Sequence, residues 1–225
     1  MANKKPSTLI NMVVALLVIA AVSGGVLGLV YGMTKDAIAK VDQKKNEAAI
    51  QAVLPLEGEI SYKADTLKYN YEGVDLTFPC NLAYDANGNF QGAAVKTSEG
   101  GFGGKIDMMV GFTADGTIKG TSVLSHAETP GLGANMTGKF KDQFVDKNPA
   151  SYKLTVTKDG GDVDAITAAT ITSRAFSKAV DKAYQAFMAN KAQYMNNAPA
   201  KEAAPVMEEA PAEENNETEG GQSNE

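Results

Sequence analysis

Residues Leu9–Met33, LINMVVALLVIAAVSGGVLGLVYGM, run for 25 positions without a charged side chain. As a helix rising about 1.5 Å per residue, they span roughly 37 Å, and a hydrocarbon core is about 30 Å thick. A cleaved signal peptide and a buried core helix are the alternatives. A signal core is usually only about 7–15 residues long. Ala21-Val22-Ser23 resembles a cleavage site, but the apolar run continues through Leu27, Leu29, Val30 and Tyr31. A retained transmembrane helix over 9–33 is the reading that fits, with residues 1–8 as a cytoplasmic N-terminus.

The flanks do not agree on orientation. Lys4 and Lys5 precede the span, and Lys35, Lys40, Lys44 and Lys45 follow it. Counting basic residues near the ends, taken alone, favours the C-terminal side in the cytoplasm. Helical spacing continues after the span through Ile38, Val41, Ala48, Ala49, Ala52 and Val53, until Pro55 stops it. Residues 34–55 read as a helical stalk between anchor and domain.

The chain holds one cysteine, Cys80, and one histidine, His126. No internal disulfide, thiolate cluster, cysteine redox pair or His-rich metal site can be assembled from them. Redox chemistry here needs a cofactor. The net charge of −6 is a property of one end. From 196 to 225 there are eight Glu and one Lys, so the rest of the chain is close to neutral. That Ala/Pro/Glu/Asn-rich segment buries too little apolar surface to offset its ordering entropy, and it reads as a disordered acidic tail. No basic patch points to nucleic acid.

From Glu59 to Thr157 the pattern is one of strands and turns. YDANGNFQGAAV (84–95) and FTADGTIKGTSV (112–123) align without gaps at an offset of 28. Asn-Gly and Asp-Gly supply the positive φ angles of tight hairpins, so two β-hairpins of matching geometry are expected. EGGFGGK (99–105) joins them. Its glycines do not fit a dinucleotide-binding loop, which needs a strand before it and a helix after it. After Ser173 a period near 3.6 returns, with Phe176, Val180, Ala183, Tyr184, Phe187 and Tyr194 as a core-facing stripe. The fold class is therefore α+β: an antiparallel sheet around two similar hairpins, packed by a helix over 172–195, on one transmembrane helix.

Two segments can carry chemistry. DAITAATITS (164–173) crowds Thr167, Thr170, Thr172 and Ser173 together ahead of that helix. Residue physics alone favours helix capping, since Ser and Thr satisfy exposed N–H groups there. Yet a helix needs one cap, not four hydroxyls. A helix N-terminus also suits a phosphate, which a hydroxyl can contact or esterify. The second segment, SHAETPGLGANM (125–136), is dense in turn formers. His126 and Glu128 lie two apart, either as an acid–base pair or as a loop brace.

Together these segments resemble the FMN-binding domain family that carries covalent flavin. Asp164-Ala165-Ile166-Thr167-Ala168-Ala169-Thr170 is similar to that family's Asp-x-x-Ser/Thr-Gly-Ala-Thr motif, and Glu128-Thr129-Pro130-Gly131-Leu132-Gly133 is the partner segment. With the anchor and stalk, residues 5–195 resemble the flavin subunits of redox-driven ion-translocating membrane complexes. These include the G-type subunit of the Rnf electron transport complex and the C-type subunit of the sodium-pumping NADH:quinone reductase.

The resemblance implies an FMN-binding domain over 56–195, with the FMN phosphate esterified to Thr170 by a separate flavin transferase. It implies that Glu128, Thr129, Leu132, Gly133, Ala168, Ala169, Ile171 and Thr172 bind the flavin, with Thr172 and Ser173 donating near the phosphate. Asp164 would position the motif or the transferase's metal. It further implies electron transfer between ferredoxin and NAD⁺ with other subunits of the complex, ion translocation, and a domain on the outer, periplasmic face of the cytoplasmic membrane. Against the lysine count, the resemblance sets the expected orientation. The chain departs from the motif at Ala168, where the family has Gly; if that position needs positive φ, the methyl is strained there. Membership in the quinone reductase and an anchored extracytoplasmic scaffold without a cofactor are the alternatives.

Overall fold

A computed structural model describes residues 9–196. The expected cytoplasmic N-terminus and nearly all of the expected acidic tail lie outside the described residues. Helix α1, Leu9–Val53, is continuous through the expected anchor and the expected stalk. It is one helix long and apolar enough to cross a membrane, and none of its most apolar window is buried inside the protein. It is buried against the domain at the far end, through Ala49 and Val53. Pro55, without a backbone N–H, follows immediately.

Five strands follow: β1 Ser61–Tyr71, β2 Val74–Tyr84, β3 Phe90–Gly100, β4 Lys105–Thr113 and β5 Ile118–Ser125. They form one antiparallel sheet in sequence order, β1-β2-β3-β4-β5. The β1–β2 turn is Glu72-Gly73, with φ of 52° and 85°, the pairing a tight twisted hairpin requires.

The two similar hairpins are β2–β3 and β4–β5. The Asp85 N–H donates to the Asn89 carbonyl at 3.0 Å and Gly88 N–H to the Asp85 carbonyl at 2.9 Å. At the same offset of 28 residues, Thr113 N–H donates to the Thr117 carbonyl at 3.0 Å and Gly116 N–H to Thr113 at 2.9 Å. Gly88 and Gly116 both take positive φ. The side-chain bracing differs. Asp85 accepts from the backbone of Asn87 and Asn89, whereas Asp115 accepts from the hydroxyls of Thr113 and Thr117. The Asn89 side-chain amide, which also donates to Asp85, together with the backbone bonds holds the Asp85 carboxyl below the usual carboxylate range, and the two threonine hydroxyls do the same for Asp115.

Side-chain alternation along the strands divides the interior between the two faces. Leu82, Tyr84, Ala93, Val95, Met108, Val110 and Phe112 belong to the larger cluster with α2, Thr170–Asn196. Ala83, Ala94 and Met109 belong to a small cluster with Ala49, Val53 and Leu54. On the larger face Phe112 stacks on Phe187 with ring centroids 5.2 Å apart, and Phe90 packs against Phe187 and Tyr194. The expected stripe of α2 thus meets the sheet. Lys182 and Glu99 form an ion pair across this interface. Cys80 is a small buried hydrophobe, its thiol pushed up to about 12 by burial.

Strand structure ends at Ser125, earlier than the expected strand-and-turn region up to Thr157. Residues 126–169 are loops and 3₁₀ turns at Gly133–Thr137, Lys139–Phe144 and Thr157–Asp159, apart from one bridge between Val156 and Val163. Pro130, Gly131, Gly133, Gly138 and Pro149 break any ladder here. The segment is still anchored: Phe140 and Phe144 pack on Phe176 of α2, with centroids 5.3 and 5.1 Å away.

Candidate functional site

The α2 helix begins at Thr170, two residues before the expected start. Its first-turn N–H groups at Thr170, Ile171 and Thr172 meet no acceptor among the described residues. The four hydroxyls of the cluster do not cap it. Ser173 Oγ donates back to the Ala169 carbonyl at 3.0 Å and accepts the Ile166 N–H at 2.9 Å. Thr172 Oγ1 donates to Glu128 Oε2 at 2.8 Å. Thr167 is exposed. Thr170 is half-buried, and its Oγ1 lies 3.4 Å from the Lys158 ammonium, which donates to it. The capping expectation fails because each buried hydroxyl is engaged elsewhere, so the helix N-terminus keeps free donors.

Glu128 is only 6% exposed, and its carboxylate joins three segments. Oε1 accepts the Gly103 N–H at 3.0 Å, from the turn between β3 and β4. Oε2 accepts from Thr172 on α2. A Cβ at Gly101 or Gly133 would overlap this carboxylate, and one at Gly103 would overlap the Ala127 carbonyl oxygen. The glycines of EGGFGGK and PGLG are therefore what lets a buried carboxylate fit between the segments. Gly133 also abuts Thr172, which brings the exposed neighbours Leu132 (43%) and Ile171 (52%) to one corner. The Thr129 carbonyl accepts the N–H groups of Leu132 and Ala134, both at 3.2 Å, and so shapes the loop. His126 Nδ1 accepts the Glu128 N–H at 3.2 Å, which makes it the loop brace.

Ala168 has φ of 61°, in the left-handed region where a Cβ is strained. The motif does need positive φ at this position, and Ala occupies it where the resemblance has Gly. Asp164 is held by its backbone: its N–H donates to Gln143 Oε1 at 2.8 Å, and Gln143 Nε2 donates to its carbonyl at 3.1 Å.

The predicted residues thus converge on one corner, with Thr172 and Ser173 engaged within the protein. Sequence reasoning missed Gly103, Gln143, Lys158 and the Asp159–Arg174 pair. For Gly103 a signal existed, a glycine run with no assigned role. For Lys158, twelve residues before Thr170, none did. A groove of about 720 Å³ lies elsewhere, between α1 and the sheet, lined by residues such as Asp42, Asn46, Cys80 and Lys96. It contains none of the predicted site residues, and the convergence of unsatisfied donors around Thr170 is the better guide to chemistry.

Residues 101–185 match the family model described as FMN-binding domain. That stretch runs from the Gly103 turn to the middle of α2 and contains every residue of this corner. The chain is 37% identical to the G-type subunit of the ion-translocating oxidoreductase complex of Aliivibrio fischeri, over 77% of this chain and 86% of that one. It is 33% identical to the G-type subunit of the same kind of complex from Methanosarcina acetivorans, over 81% and 95% of the two chains. It is 32% identical to the G-type subunit of the Na⁺-translocating ferredoxin:NAD⁺ oxidoreductase complex of Acetobacterium woodii, over 76% and 86%. By these relatives the chain belongs to the family of G-type subunits of ion-translocating oxidoreductase complexes, and it carries that family's FMN-binding domain.

Proposed function

We propose that this chain is the membrane-anchored flavoprotein subunit of an ion-translocating ferredoxin:NAD⁺ oxidoreductase, with FMN joined to Thr170 by a phosphoester. The carrying observation is the α2 N-terminus. A half-buried threonine hydroxyl stands there beside a lysine ammonium and three N–H groups without acceptors among the described residues. Donors and dipole both point at an anion in such a place. The residues fit a phosphoryl group held at Thr170. The exposed apolar side chains of Leu132 and Ile171 suit an aromatic ring system beside it.

FMN, when bound, supplies the one- and two-electron chemistry that the side chains lack. The chain does the rest. Thr170 provides the ester oxygen. Thr172 and Glu128 lock the first turn of α2 against the Gly103 turn, so the attachment point is fixed relative to the sheet. Thr170 stands at the surface, so the ester rather than an enclosing pocket retains the flavin. An exposed ring can then approach redox partners in the other subunits. Maturation in this reading requires a flavin transferase.

Helix α1 would span the cytoplasmic membrane over residues 9–33, continue as a stalk over 34–55, and hold the domain on the outer face. Loss of FMN there would be permanent without a tether, which is a physical reason for a covalent one.

The test is ultraviolet fluorescence of the denatured chain on a gel after co-expression with a flavin transferase. Wild type fluoresces, and Thr170→Ala is dark. A dark wild-type band, with the transferase active on a control substrate, overturns the proposal. So does a fluorescent Thr170→Ala band, because the ester then lies elsewhere.

A further inference from the structure

We propose that Lys158 is the phosphate-contacting residue of the Thr170 site: it receives the incoming phosphoryl group during attachment and remains its counter-charge afterwards. This rests on Thr170 as the attachment point.

Three observations carry it. First, Lys158 Nζ lies 3.4 Å from Thr170 Oγ1, so an oxygen on a phosphorus bonded to Thr170 falls within its reach. Second, Lys158 makes no ion pair among the described residues. The neighbouring carboxylate is already matched, since Asp159 takes the Arg174 guanidinium in a two-pronged pair at 2.7 Å on each side. That pairing holds the Asp159 carboxyl below its usual range. Third, the same pair fixes where Lys158 stands. Arg174 lies one helical turn beyond Thr170 on the same face of α2. The Thr157–Asp159 turn is clamped to that face through Asp159, and Gly160 at φ 80° closes it. The bond from Thr157 N–H to the Val163 carbonyl, at 2.8 Å, closes the loop behind it. The backbone position of Lys158 is therefore built by the fold, and its exposed side chain reaches Thr170 from there.

The chemistry needs a cation there. In the attachment step Thr170 Oγ attacks the flavin-side phosphorus of a flavin dinucleotide. The Oγ–P bond forms, the P–O–P bond breaks, and the nucleoside monophosphate leaves with the bonding electrons. The hydroxyl proton passes to solvent, so no electrons are exchanged. A phosphodiester with one negative charge remains on Thr170. The α2 N–H groups supply only partial positive charge. Lys158 supplies a full one on the open side, as a compact point charge suited to phosphate.

The experiment measures the initial rate of flavin attachment to the full chain, by gel fluorescence and intact mass, in the presence of the transferase. Wild type, Lys158→Gln, Lys158→Arg and Thr170→Ala are compared, and matching thermal midpoints show that each is folded. Lys158→Gln should label about three- to tenfold more slowly, a discount from a buried contact because the lysine is exposed. Lys158→Arg should stay close to wild type. A Lys158→Gln chain that labels at the wild-type rate overturns the proposal. So does an Arg variant as slow as the Gln variant, because charge is then not what matters. If wild type itself stays unlabelled, the attachment reading fails, and that result is distinct from either outcome for Lys158.

Discussion

The two long helices of this protein bury themselves in opposite ways. Helix α1 is apolar for its first 25 residues, and its side chains stay exposed until its last turns. Helix α2 is far more polar on average, and yet Ala175, Phe176, Ala179, Val180, Ala183, Ala186 and Phe187 are all buried. Apolar content alone therefore does not tell where a helix goes. What matters is how the apolar residues are arranged and what surface answers them. An apolar surface all the way round needs a bilayer, because no single sheet can cover it. A stripe at a 3.6-residue period needs one face, and the sheet supplies it.

The contrast can be broken most directly by truncating one residue on each helix. Phe187→Ala removes a ring stacked on Phe112 in the larger cluster and should cost about 3–5 kcal/mol in denaturant unfolding of the detergent-solubilised chain. Leu16→Ala, on the exposed run of α1, should change the same transition by less than about 0.5 kcal/mol. Equal effects would mean that α1 packs on the domain along its length.

The one place where α1 does pack is sharper to test. Gly111 faces the end of α1, and a Cβ there would overlap the Val53 carbonyl oxygen. Gly111→Ala should destabilise by about 1–3 kcal/mol, as overpacking against backbone does, and should open residues 54–60 to proteolysis. Resistance equal to wild type would show that the junction has room to shift. A smaller effect than that of Gly111→Ala belongs to the entrance of α2. Ala168→Gly relieves a positive φ and should raise stability by about 0.5–1 kcal/mol, after the greater freedom of glycine in the unfolded chain is counted. A loss of stability would mean that the left-handed geometry carries no strain.

Much of the fold is legible in the sequence, because it is local. The Asp-Gly and Asn-Gly turns declare their hairpins through the φ angles they permit, and both hairpins close with the same hydrogen bonds. The α2 stripe follows from its period, although the helix starts two residues earlier than the period suggests. Glu128 is legible as important but not in its contacts. It is expected to contact the flavin, and it is buried against Thr172 and Gly103, which are far apart in sequence. The hydroxyl cluster looks like a cap for the same reason. Which hydroxyl stays available depends on partners brought in by the fold, and among the described residues Thr170 is the member of the cluster that accepts from a lysine ammonium.

The sequence by itself determined a helix fit for a bilayer, a sheet of hairpins, an amphipathic helix and a motif of the FMN-binding kind, since each depends on residues within a turn or two of one another. Only the tertiary structure decided that a buried carboxylate ties two loops to the first turn of α2, that Ala168 takes a left-handed φ, and that Lys158 reaches Thr170. The contacts among them join groups 12 to 44 residues apart along the chain, and no local spacing can encode their meeting.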